Sequence, residues 1–237
     1  MSIDTLQHEP GHYHPSVGGY LREVVFGFND GVVSTFAVIA GLYGGTIGQS
    51  TILLAALSTM VAGAFSMGLG TYLGNKSARD LYLSEVQREI KEMEDVPEIE
   101  RQEISDIYAS KGFEGALLEK VVDTITSDKK IWLDTMLKDE LGFGEEPEHP
   151  LKLGASMSIA FVIGSALATS PYFFQGAPLS MFYWSAGTSI ISLILIGWFK
   201  TYFTKLNPLM SIAETLGVGV LAASGAYVVG IFIGGTD

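Results

Sequence analysis

The sequence predicts an all-α polytopic membrane protein, with five transmembrane helices per subunit and a small helical cytoplasmic domain inserted between helices 2 and 3. Three observations lead there. Hydrophobic residues make up 48% of the 237 positions and charged residues only 17%. The charges are also confined. Of the 14 Lys and Arg, all but Arg22, Lys200 and Lys205 fall between Lys76 and Lys152, as do 20 of the 26 Asp and Glu. Outside that charged middle stand five long apolar stretches, at 24–43, 52–74, 153–172, 179–199 and 209–234.

Each stretch meets or approaches the ~20 apolar residues a helix needs to cross the hydrocarbon core. All are rich in glycine, as in "GLYGG" and "GAFSMGLGTYLG", and small residues let membrane helices approach closely. A soluble helical core would need polar stripes that these stretches largely lack. Lys and Arg set the orientation. Arg22 precedes the first span, Lys200 and Lys205 follow the fourth, and the loops near 44–51 and 171–178 carry none. The basic side is the cytoplasmic one, which puts the N-terminus and the acidic middle inside and the C-terminus on the far side. Residues 1–20 lack a basic n-region before an apolar core and read as a cytoplasmic tail. Its His8, His12 and His14 are open to two readings, a metal-collecting tail or a disordered terminus. The organisation is therefore 1–20 tail, 21–75 helices 1 and 2, 76–150 acidic metal-binding domain, and 151–237 helices 3 to 5.

Composition also excludes. With no cysteine there are no disulfides, thiolate metal sites or cysteine nucleophiles. A net charge of −12 opposes binding to nucleic acid, whose phosphates require a basic surface, and suits cations. No Ser-His-Asp arrangement or phosphate loop stands out, so the chain reads as no enzyme.

The middle segment reads as four helices. The first runs from about Asn75 to Asp95, continuous with span two or starting afresh, and Pro97 interrupts it. A second ends at "SKGF", a third covers 114–126, and a fourth covers 128–141 before Gly142. Glu85, Glu89 and Glu92 share one helical face, Glu100 and Glu103 another, and Met136 and Glu140 are i, i+4 neighbours. Stacked carboxylates repel unless cations sit between them. The faces are either solvated acidic surfaces or parts of a metal site. A thioether among hard oxygen ligands favours a borderline ion such as ferrous iron over calcium, although Met136 also suits packing.

In span one, Asp30 sits within "VVFGFNDGVVSTFAVIAG". An ionisable group at membrane depth is costly and normally faces a bundle interior or a watery cavity. Gly27, Gly31 and Ser34 form a small, polar stripe beside it, suited to a close-packed interface or a lined pathway. Met60 and Met67 of span two lie i, i+7 with Gly63 between them and read as packing or as soft ligands. Glu214 in span five is a second acid for the pathway, and Glu23 pairs with its neighbour Arg22.

"LREVVFGFNDGVVSTFAVIAGL", "AGAFSMGLGTYLGNKS" and the insertion ending "WLDTMLKDELG" resemble the vacuolar iron transporter family from about residue 18 onward. The resemblance implies a homodimer of five-span subunits in lipid and export of Fe2+ from the cytosol against protons as counter-ion, with Mn2+, Zn2+ and Co2+ as further ions. Fe2+ would be both the substrate and the ion bound by the acidic domain. It matches Asp30 and Met67 to the transport path at the dimer interface, and Glu89, Glu92, Glu100, Glu103, Met136 and Glu140 to the metal ligands. Two positions depart from the family pattern: Leu137 replaces a second methionine, and Thr59 stands where a span-two glutamate can occur. The membrane would be the plasma membrane of a prokaryote, or a vacuolar or other organelle membrane otherwise. Rival readings are a manganese or general divalent exporter and a membrane-anchored metal buffer.

Overall fold

The structure is a computed structural model that describes residues 15–144, 146–174, 176–205 and 207–234. The tail histidines His8, His12 and His14 lie outside the described residues. Every regular element among the described residues is helical: α1 (Pro15–Gly44), α2 (Gln49–Asp95), α3 (Pro97–Ser110), α4 (Gly115–Thr126), α5 (Lys129–Thr135) with a wider turn at Met136–Glu140, α6 (Pro150–Thr169) with a 3-10 turn at Ser170–Phe173, α7 (Pro178–Thr204) and α8 (Pro208–Gly234). Among the described residues, five stretches are long and apolar enough to cross a membrane: Gly18–Gly44, the α2 helix, Pro150–Phe173, Pro178–Thr204 and Pro208–Gly234. The chain divides into two compact units, residues 1–73 with 150–237, and residues 74–149. Of the two readings of the middle segment's start, the continuous one holds, since α2 runs unbroken through both.

In the first unit, α1 packs against α6, α7 and α8. Close backbone approach holds it together. A Cβ added at Gly31 would strike the Phe161 carbonyl, and one added at Gly230 the Gly41 carbonyl. Between these crossings, buried hydroxyls tie helix to helix. Ser165 donates to the Gly31 carbonyl at 3.1 Å, Ser185 to Ala168 at 2.7 Å and Ser211 to Gly197 at 2.7 Å. Such bonds suit a medium without water, where every polar group needs an internal partner. Small buried clusters form around Ile39, Ile52 and Tyr172 and around Val32 and Leu193, while many other apolar side chains point outward: Leu209 is 78% exposed, Leu221 76% and Phe232 74% along α8. An outward apolar surface of this extent is what lipid or a partner subunit covers.

The second unit is held chiefly by one apolar cluster. Met93, Ile104, Val122, Ile125, Trp132 and Met136 form a buried cluster, with Tyr108, Leu118, Val121 and Leu133 packed against it. Helix starts and stops follow local chemistry. Pro97 begins α3 at a position whose N–H has no helical partner, and Gly112 reverses the chain after it at φ +94°. The Asp128 carboxylate caps α5 by accepting from the Lys130 and Ile131 amides at 2.8 and 3.3 Å. Gly142, at φ +68°, ends the helical run where the sequence places its stop.

Candidate functional site: an acidic cluster and a buried carboxylate

The acidic cluster belongs wholly to residues 74–149. Three stretches supply it: the last turns of α2, the first turns of α3 and the wide turn after α5. Glu89 is 1% exposed and Glu100 4%, burial that carboxylates avoid unless something compensates. Each has one oxygen, Oε2, that is buried without a hydrogen-bond partner. Burial raises the pKa of Glu89, of Glu140 and, most of all, of Glu100, which is pushed up to about 7. Neighbouring charge is the next cause for the last two. Glu103, Glu89, Glu92 and Glu140 all act on Glu100, while Glu89, Glu103 and Glu92 act on Glu140. For Glu89, the hydrogen bond and charge of Arg88 oppose the rise, and Glu92 and Glu103 add to it. Glu89, Glu92, Glu100, Glu103 and Glu140 are thus within electrostatic reach of one another. Among the described residues, however, no three Asp, Glu or His side chains are drawn together tightly enough to form a ready-made metal site. The carboxylates share a locality, and side-chain rotation is needed to converge on one point.

Met136 is fully buried within the hydrophobic cluster of this unit. The turn that follows it is π-helical, with the Leu141 amide donating to the Met136 carbonyl at 3.2 Å. A π turn holds one residue more than an α turn, so Glu140 takes a different bearing from the one that regular i, i+4 spacing gives it. Leu137 is 4% exposed and packs inward beside Met136.

In the spans, Asp30 is half-buried and accepts a hydrogen bond from Ser34 Oγ at 2.7 Å. Gly27 and Gly31 serve close packing: both press on α6 backbone, at the Met157 and Phe161 carbonyls. Of the predicted stripe, Ser34 alone serves Asp30 directly. Met60, Met67 and Thr59 are half-buried on α2, and Gly63 between the methionines faces the Phe161 ring. Glu214 stands 3.5 Å from Lys200 Nζ and lines a cavity of about 580 Å³ with Arg22, Asn29 and Lys200, which Asp30 does not line. Glu23 pairs with Arg22 at 2.6 Å, as its sequence position suggests. The sequence did not foretell that it is also 4% exposed and accepts from Thr71 Oγ1 of α2 at 3.5 Å.

Comparison with known proteins places this arrangement. A family model described as the VIT family matches residues 21–231. The chain belongs to the VIT family. Relatives of this VIT-family chain include the protein named vacuolar iron transporter 1 in Tulipa gesneriana, 36% identical over 95% of this chain and 92% of its own length. The vacuolar iron transporter 1 of Oryza sativa subsp. japonica is 35% identical over 91% and 88%. The vacuolar iron transporter of Toxoplasma gondii is 34% identical over 95% and 78%.

Sequence reasoning about this VIT-family chain left out one participant in the acidic cluster. The Arg88 guanidinium stands between three carboxylates, with Nη1 2.7 Å from Glu85, Nη2 3.1 Å from Glu89 and Nε 3.5 Å from Glu92. Its signal was present in the spacing, since Glu85 and Glu92 lie three residues before and four after it, the offsets at which helical side chains meet.

Proposed function

We propose that this chain carries ferrous iron out of the cytosol across a membrane in exchange for protons, as a homodimer, and performs no covalent chemistry. The observation that carries the reading is the buried acidic cluster, with unpartnered Glu89 and Glu100 oxygens, in a chain whose relatives are named iron transporters. Residues 76–150 would form a cytoplasmic collecting domain, with Glu89, Glu92, Glu100, Glu103 and Glu140 supplying oxygen ligands and Met136 a thioether. Their fit to a divalent ion rests on the two buried oxygens without partners and on carboxylates that ionise more readily once positive charge arrives.

From there the ion would pass to a path containing Asp30 and Met67, with Glu214 as a further acid nearer the basic side. Asp30 exchanges cation for proton, and Ser34 keeps one of its oxygens oriented. The placement of Lys and Arg supports a cytoplasmic N-terminus and acidic domain, in a vacuolar or equivalent membrane as the relatives' names suggest.

A second reading has one observation in its favour. With Leu137 buried where a second methionine would stand, the donor set is richer in oxygen and suits Mn2+ as well as Fe2+. The test of both is ion flux into proteoliposomes, with and without an imposed pH gradient, for wild type and Asp30→Ala. Gradient-dependent Fe2+ flux that drops at least tenfold in the variant is expected. Equal Mn2+ and Fe2+ affinities would favour the general divalent carrier, and absence of flux from correctly inserted wild type would leave only an anchored metal buffer.

A further inference from the structure

The three nitrogens of Arg88 each meet a different carboxylate, Glu85, Glu89 and Glu92, and two of those carboxylates belong to the proposed ligand set. We infer that Arg88 is a built-in competitor for the metal, a tethered cation that sets the ion concentration at which the acidic cluster loads. The inference rests on the metal-binding reading above.

The argument is one of shared lone pairs. A guanidinium offers planar, directed donors that hold carboxylates in fixed geometry. Here it satisfies Glu89 Oε1 and leaves Oε2 buried without a partner. An ion drawing Glu89 and Glu92 together needs the electrons that Arg88 already engages. It must also enter against the arginine's positive charge at contact distance, where repulsion between like charges is strong. Departure is open to the side chain, which is 47% exposed. Glu85 gives it a resting place, because that carboxylate lies at 2.7 Å and lies outside the proposed ligand set. Metal binding would then exchange a three-way bridge for a single Arg88–Glu85 pair. Until the ion arrives, the guanidinium offsets the mutual repulsion of the acids and keeps the cluster folded.

The experiment uses full-length protein in detergent and Mn2+ as the probe, with the free-ion paramagnetic resonance signal reporting what is bound. Arg88→Gln is expected to tighten binding about three- to tenfold, the scale of removing one unit charge at a few ångströms in a partly wet site. Arg88→Lys, which keeps the charge and loses the fork, should fall between wild type and Arg88→Gln. Arg101→Gln is the charge control: Arg101 pairs with Asp123 and Thr126, and its loss should change the affinity less than about twofold, as expected of screened surface charges. Tightening is a direction that structural damage does not produce. Unchanged or weaker binding in Arg88→Gln overturns the inference while leaving the site intact, provided Glu100→Gln abolishes binding. If Glu100→Gln binds as wild type does, the acidic site falls and the arginine's role falls with it.

Discussion

The two units of this chain weight the same packing forces differently. Beside small buried apolar clusters around Ile39 and Val32, the span unit is held from inside by backbone meeting backbone and by hydroxyls reaching carbonyls, and much of its large apolar surface faces outward. The acidic unit is held by one buried apolar cluster around Ile104 and Trp132, and turns its charges outward or against one another. The difference follows from solvent. Apolar side chains gain nothing by leaving lipid, so tight fit and internal hydrogen bonds decide the first unit; removal of apolar surface from water decides the second.

The sharpest way to break the comparison is to add one methyl group. Gly31→Ala places a Cβ against the Phe161 carbonyl, with backbone on both sides and nowhere to relax. We expect little or no folded protein to survive size-exclusion chromatography. Gly187→Ala, where an added Cβ meets nothing within 4 Å, should elute and melt as wild type does. Equal behaviour of the two variants would refute the close-packing account.

In the other unit the damaging change is a deletion of volume. Ile104 is fully buried, and Ile104→Ala should cost about 2–5 kcal/mol in that unit. Hydrogen exchange should show faster opening of α3 and α4, while the buried crossings of α1 with α6 stay protected.

The next effect concerns protons. Glu100 is pushed up to about 7 chiefly by burial and then by its acidic neighbours. Its folded pKa therefore lies above its unfolded one. Between those two values the folded state holds more proton than the unfolded state, so the metal-free unit loses stability as pH rises through that window. Metal binding runs the other way, because the ion replaces the proton. Mn2+ affinity should rise about tenfold from pH 6 to pH 8, as expected for one group of this pKa, and a flat profile would remove Glu100 from the ligand set. The smallest effect belongs to the Asp128 cap. Asp128→Ala should cost about 1 kcal/mol, read as a modest fall in the melting temperature of the acidic unit with no change in flux.

Much of this was legible in the sequence because the signals are local. Span lengths follow from runs of apolar residues, Pro97 and Gly142 mark a helix start and stop, and spacing alone grouped Glu89 with Glu85 and Glu92, and Glu100 with Glu103. What escaped depends on contacts across the fold or on a local departure from α geometry. Nothing near Glu23 announces Thr71, 48 positions away. The glycines near Asp30 suited either a close-packed interface or a lined pathway, and what chooses the interface is α6, which packs on them from well over a hundred residues on. The roles of Asp30, Met67 and the carboxylates as ligands come from resemblance and chemistry, and flux and binding measurements decide them.

The π turn at Met136–Glu140 has a consequence for sequence change. A turn that holds one residue more than its neighbours behaves as an insertion absorbed in place. A further residue added there, or one removed from the regular α5 before it, would not be absorbed and would swing everything after it about 100° around the axis. Glu140 would then leave the cluster although its chemistry was untouched. The run from Trp132 to Gly142 should therefore tolerate exchanges of side chain more readily than a further insertion or a deletion within α5, and such a change of spacing in another chain would signal a different donor set even where every glutamate remained.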